Sequence, residues 1–263
     1  MLSDANTDLL VDLLRGDRSN RPDRDVTSAA GLRAMLEDNV FALIGPALLE
    51  SPLIVTSATL RRSQAPREIS DSPLSRVRGV AIGTLLRLLV AQVHIDEPWE
   101  DVLCAWRAER PHDEILVHVA HLDVEQVARL RADVRSHFET MARHVRPLAS
   151  SWRPRTCLRA HQVLAGGNVE LRDVVDLMVG STHSACASVV LLDVTTSSLG
   201  ADAERVMRYH ALVHTLRVGV VPLRTSIFSS ATGELWALDV DTELLIHAVS
   251  DINEALRHAV GAS

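Results

Sequence analysis

Residues 169–180, VELRDVVDLMVG, and residues 187–196, ASVVLLDVTT, decide the fold. Both are short, rich in Val and Leu, and bounded by turn-forming residues, which predicts two strands. Gly166–Gly167–Asn168 marks a turn before the first run. The polar segment 181–188, STHSACAS, joins the two. Downstream, residues 201–219 (ADAERVMRYHALVHTLRVG) predict a helix. Residues 220–230 (VVPLRTSIFSS), 231–233 (ATG) and 234–240 (ELWALDV) predict strand, turn and strand. Strand, turn, strand, helix, strand, turn, strand is an α/β unit. Residues 242–260 close the chain with a helix.

Upstream the texture is helical. Residues 1–30 hold a short apolar helix at Leu9 to Leu14 and then an exposed linker, GDRSNRPDRDVTS. Residues 31–50 carry apolar side chains at helical spacing, with Pro46 near the end. A β-like run at Leu53–Val55 follows, then a helix start at Thr56 or Ser57. Residues 76–94 predict a helix with Ile82, Leu85, Leu86, Leu89 and Val90 along one face. Residues 97–150 read as helical, with Asp123 as the N-cap of a long amphipathic segment from Val124 to His144. The division is then 1–50 as a helical segment and linker, and 51–263 as an α/β domain with a helical insertion at 97–150.

Composition narrows the function classes. The chain has no lysine; all 27 of its Lys+Arg residues are arginine, where even a usage of about 2% would give roughly five lysines. Schiff-base chemistry and a P-loop lysine are excluded. A GC-rich genome explains the bias, and so does work beside a lysine-tagging system; the sequence leaves both open. With 47% hydrophobic but only 3% aromatic residues, Leu, Val and Ala must fill the core. A net charge of −7 argues against broad charge-driven nucleic-acid binding, so any such contact needs a local arginine patch. Cys104, Cys157 and Cys186 lack metal or disulfide spacing. No apolar run reaches about 18 residues, which predicts a soluble, cytoplasmic protein with no membrane contact.

Asp176 and Asp193 end neighbouring strands. Two carboxylates so placed suit a hard divalent cation, which takes oxygen ligands; an acid closing a strand is also commonly a solvated turn residue. The order of segments resembles the PD-(D/E)XK nuclease superfamily in its RecB-type branch. LRDVVDLMVG matches that family's "G-x-x-D-L-V" strand, with Asp176 at a metal-ligand position. LLDVTTSS matches "D-Y-K-T", with Asp193 as second ligand, and RVMRYHALVHTLRVG matches "Q-x-x-x-Y", with Tyr209 at the tyrosine. Residues 222–236 resemble the closing strand and turn. Upstream, LIVTSATLRRSQAPREI resembles the opening "S-x-S-x-L" and "C-P-R", with Ala65–Pro66–Arg67 lacking the cysteine. RVRGVAIGTLLRLL resembles the "R-G-x-x-x-H" helix. The likeness spans residues 51–240 and implies a mixed sheet flanked by helices, DNA as substrate, and Mg²⁺ or Mn²⁺ as cofactor.

The departures set the expected activity. Thr195 stands at the catalytic lysine, Gly83 at the helix histidine and Arg205 at the glutamine. Losing one charge-stabilising group costs about 10²–10³ in rate, and no lysine exists to migrate into the site. Arg205 and Arg208 are the nearest electrostatic substitutes, though a guanidinium is a planar fork and not an equivalent. The expectation is a DNA-binding pseudoenzyme with Asp176, Asp193, Thr195 and Tyr209 at its site. Arg61, Arg62, Arg67, Arg205 and Arg208 would meet nucleic acid. Arg76, Arg78, Arg153, Arg155 and Arg159 are further phosphate-contact candidates, or partners of the chain's acids. The alternative is a non-enzymatic adaptor whose helices at 31–50 and 76–94 bind a protein partner or a second copy. His210 and His214, four apart on one helix, could share a metal, but no third ligand is signalled and they read as polar or core-edge histidines, as do His118 and His121. Ser181–Thr182–His183–Ser184 lacks a nucleophile elbow.

Overall fold

The computed structural model describes residues 27–45, 49–62, 73–109, 113–145, 148, 152–181 and 188–261. Arg67, Cys186, Thr182, His183, Ser184 and the 1–26 segment lie outside them. Eight helices and six strands fill the described residues: α1 (Thr27–Ile44), β1 (Leu53–Val55), α2 (Ser57–Arg62), α3 (Pro73–Val90), α4 (Pro98–Glu109), α5 (Glu114–Ala120), α6 (Val124–His144), β2 (Arg155–Leu164), β3 (Val169–Val179), β4 (Val190–Thr195), α7 (Asp202–Val218), β5 (Arg224–Ser229), β6 (Leu235–Asp239) and α8 (Thr242–Val260). This is the expected α/β class: a helical N-terminal part, then a mixed six-stranded sheet flanked by helices. No helix among the described residues is long and apolar enough to cross a membrane.

Local chemistry explains most boundaries. Asp123 caps α6 through its carboxylate on the Gln126 N–H, and the Gln126 side chain returns to the Asp123 N–H, a reciprocal capping box. Asp241 caps α8 through the Leu244 N–H, 2.8 Å away. The Gly166–Gly167 turn carries positive φ at both glycines, which closes the β2–β3 hairpin at little steric cost. β2 is a strand that its sequence does not announce. β2 runs where an arginine patch was expected, because RTCLRAHQVL alternates between exposed and half-buried positions and lacks the β-branched density that marks a strand.

β3 is the central strand. Its residues 169, 171, 173 and 175 are buried while 170, 172 and 174 are not, the period-2 signature of one covered face. At 177–179 every residue is buried: Leu177 and Val179 lie under helices, and Met178 packs with Val175, Val189 and Leu191. On one side, α3, α4 and α6 pack Ile82, Leu85, Trp99, Trp106, Leu130 and Met141 against Leu177, Leu192 and Phe228. On the other, α1, α7 and α8 pack Leu36, Leu212, Val249 and Ile252 against Val55, Val169 and Leu171. Leu32, Leu36 and Val40 therefore share a core with Tyr209 and the C-terminal helix, and the boundary expected after residue 50 does not divide the core.

One edge of β3 is forked. β2 runs antiparallel along one side from Val169 to Met178. The other side pairs with β1 in parallel over residues 169–171 and with β4 in antiparallel over 177–179. Residues 172–176 lie between these two ladders.

Candidate functional site

The fork must satisfy its backbone without a ladder, and side chains do so. The Tyr209 hydroxyl lies 2.8 Å from the Val55 carbonyl and 2.9 Å from the Arg172 carbonyl, sharing its one proton across β1 and β3. The Val194 N–H donates to Asp176 Oδ2 at 2.8 Å. Leu177 faces Leu192 in the last registered pair, so the next step on each strand brings Asp176 opposite Asp193.

The two acids titrate apart. Burial raises the Asp176 carboxyl well above its usual range, and the neighbouring Asp193 charge and hydrogen bond add to this. Burial works against the Asp193 charge as well, but His210, the Asp176 hydrogen bond and Arg61 outweigh it and hold Asp193 low. Two carboxyls brought to one point are thus driven apart in acidity. Arg61 on α2 brings a guanidinium nitrogen to 3.6 Å from Asp193 Oδ2. His210 Nε2 lies 3.6 Å from the same oxygen. Its Nδ1 sits 2.8 and 2.9 Å from the two oxygens of Asp173. Burial pulls the His210 imidazole down, yet Asp173, with a smaller contribution from Asp193, raises it to about 10.

Asp176 also lines a cavity of about 340 Å³ whose walls include Gly83, Thr84 and Arg87 of α3, Trp106 and Glu109 of α4, and Cys157 and Arg159 of β2. A Cβ at Gly83 would meet nothing within 4 Å. Trp106 is fixed there by its indole N–H on the Thr84 hydroxyl, 2.8 Å away, and Arg87 by Glu109 at 2.9 Å.

The other expected site residues are dispersed. Tyr209 is buried and bonded to backbone, so it braces the fork and offers no group to a substrate. The Thr195 hydroxyl accepts the Ser197 N–H at 3.2 Å, and its carbonyl takes Ser230. Arg205 and Arg208 correct the expectation most clearly. Arg205 is bound to Asp251 and Glu254 at 3.2 and 2.8 Å, and Arg208 to Asp251 and Glu204 at 2.8 and 2.6 Å. They clamp α7 to α8 and have no charge to spare for a phosphate or for the lysine's place. Arg78 likewise pairs with Asp133 at 3.2 Å. Arg62 closes α2. Asp173 and the fork-facing role of His210 were missed. A carboxylate on the buried face of an alternating strand demands a partner, and that was the available signal.

Among the described residues no three His, Cys, Asp or Glu side chains already enclose a cation position. The donors at the fork are carboxylate oxygens with one imidazole nitrogen beside them, a set that fits a divalent cation better than a soft metal. No family model matches the chain, and no curated protein does. Of solved structures, the one described as "Crystal structure of SSO0001" is similar at 8% identity and a TM-score of 0.35, over 86% of this chain and 84% of that one.

Proposed function

We propose that this chain is a PD-(D/E)XK-like protein of the RecB-type branch that binds a divalent cation and DNA but cleaves poorly, serving repair, mobile-element or defence functions. The observation that carries this reading is a convergence. The Asp176 and Asp193 carboxyls lie within hydrogen-bond reach of each other, and Gly83, at the resemblance's histidine position, lines the same cavity as Asp176. Two stretches that the resemblance ties to one metal thus border one cavity.

The residues divide the work. Asp176 and Asp193 supply oxygen donors for Mg²⁺ or Mn²⁺. Such a cation, when bound, would polarise a phosphoryl oxygen and acidify a water. Thr195 hydrogen-bonds locally and carries no charge, so developing negative charge lacks the lysine's stabilisation. Arg61, within reach of Asp193, is the fork's cation toward a phosphate.

The test pairs binding with cleavage. Wild-type protein should bind DNA at 50 mM salt, release it steeply by 200 mM, and show trace Mn²⁺-dependent cleavage at most. Thr195→Lys combined with Gly83→His should raise cleavage by about 10²-fold or more. Robust wild-type cleavage abolished by Asp193→Ala would overturn the impaired site. Absence of DNA binding at low salt, with a stable protein complex in pull-downs, would favour an adaptor instead.

A further inference from the structure

The two-carboxylate reading leaves one buried group unused. The His210 and Asp173 side chains are each 1% exposed, deep under α7. Nδ1 of the imidazole is held between both oxygens of Asp173, which fixes the ring's orientation. Nε2 is buried and has no hydrogen-bond partner among the described residues. It points at Asp193 Oδ2 across 3.6 Å, too far for a hydrogen bond. Buried polar atoms without partners are few in folded proteins, and each calls for an explanation.

We infer that His210 Nε2 is a further ligand of a cation held at Asp193, with Asp173 as the carboxylate behind it, and that this site prefers Mn²⁺, which accepts a nitrogen among its oxygen ligands, to Mg²⁺. The inference rests on the reading of Asp193 as a cation ligand and specifies which cation it takes. Three physical points carry it. Two donors each about 2.1 Å from one ion stand at most about 4.2 Å apart, and 3.6 Å lies inside that limit. A ligating histidine almost always passes its other ring N–H to a carboxylate, which orients the ring; Asp173 is so placed. Imidazole suits transition ions, whereas Mg²⁺ takes oxygen and keeps its waters. Arg61, 3.6 Å from the same Oδ2, gives way when the ion enters, and the ring proton that the neighbouring acids favour in the ion-free chain passes to solvent, since a ligating imidazole is neutral.

The experiment is a calorimetric titration of the full chain with MnCl₂ and with MgCl₂. Wild type is compared with His210→Gln, Asp173→Asn and Asp193→Asn, and circular dichroism checks each fold. Wild type should bind Mn²⁺ at least about tenfold tighter than Mg²⁺. His210→Gln and Asp173→Asn should each weaken Mn²⁺ by about 10–100-fold, with His210→Gln leaving Mg²⁺ little changed, and Asp193→Asn should remove both ions. Frozen-solution EPR of the wild-type Mn²⁺ complex should show coupling to one ¹⁴N, which reads the ligand even if a variant fails to fold. Absent nitrogen coupling, or unchanged Mn²⁺ affinity in folded His210→Gln, would overturn the inference; loss of binding in Asp193→Asn would leave the two-carboxylate reading standing. Wild type that binds neither ion would sink both.

Discussion

His210 and His214 sit one turn apart on α7, both buried, in opposite surroundings. His210 meets the fork, where Asp173 and Asp193 raise it to about 10. His214 has no hydrogen-bond partner for either ring nitrogen among the described residues. Burial, then Arg217 and Arg155, lower it to about 4. The acids at the fork favour the charged form of one ring, and burial favours the neutral form of the other. Helical spacing tells which residues share a face; what that face meets is decided by the strands opposite.

Asp173→Ala should erase the contrast at the largest cost. It leaves His210 buried without its anion, and breaking one side of a buried ion pair costs about 3–5 kcal/mol, measurable by urea denaturation. A loss below about 1 kcal/mol would mean that the pair carries little charge.

The pH response separates the two rings next. His214 is depressed, so its contribution is present above its unfolded value of 6.5 and is lost as pH falls toward about 4. By linkage the loss amounts to about 3 kcal/mol. His214→Leu should lack this acid limb, seen in the difference between mutant and wild-type stability curves. His210 is raised, so its contribution is full below 6.5 and fades as pH climbs toward about 10. A His214→Leu curve parallel to wild type from pH 4 to 6.5 would refute the assignment.

Tyr209→Phe tests the brace beside His210. Removing the hydroxyl that spans the Val55 and Arg172 carbonyls should cost about 1–2 kcal/mol, with a lower Tm and no change in the His214 limb. On the sheet's far side, Gly83→Ala should gain about 0.5–1 kcal/mol, since the new methyl enters open space. A loss there would place the cavity wall closer than it stands.

The sequence made the sheet's second half legible because its signals agree. Apolar runs, Gly-marked turns and a long helix give β3, β4, α7, β5 and β6 in order, and Asp123 marks the start of α6. β2 stayed hidden because a strand exposed along alternate residues looks like a polar linker. The nearness of Asp176 and Asp193 is legible from their places at the ends of neighbouring strands. Arg205 and Arg208 were misjudged: their acids, Asp251 and Glu254, come from α8, more than 40 residues later, and no local pattern announces a partner at that range. Asp173 carries a signal, as an acid on the buried face of a strand, but its partner His210 lies 37 residues on and has none.

The shared edge of β3 has a mechanical consequence. β1 is only three residues long and runs almost directly into α2, whose Arg61 reaches Asp193. A two-residue slip of β1 along β3 would carry α2 by about 6.6 Å, far enough to part Arg61 from that carboxylate. The Val55 carbonyl, bonded to Tyr209, works with the β1–β3 ladder against the slip. A ladder of three residues and one phenol thus acts as a vernier, setting how far Arg61 stands from Asp193.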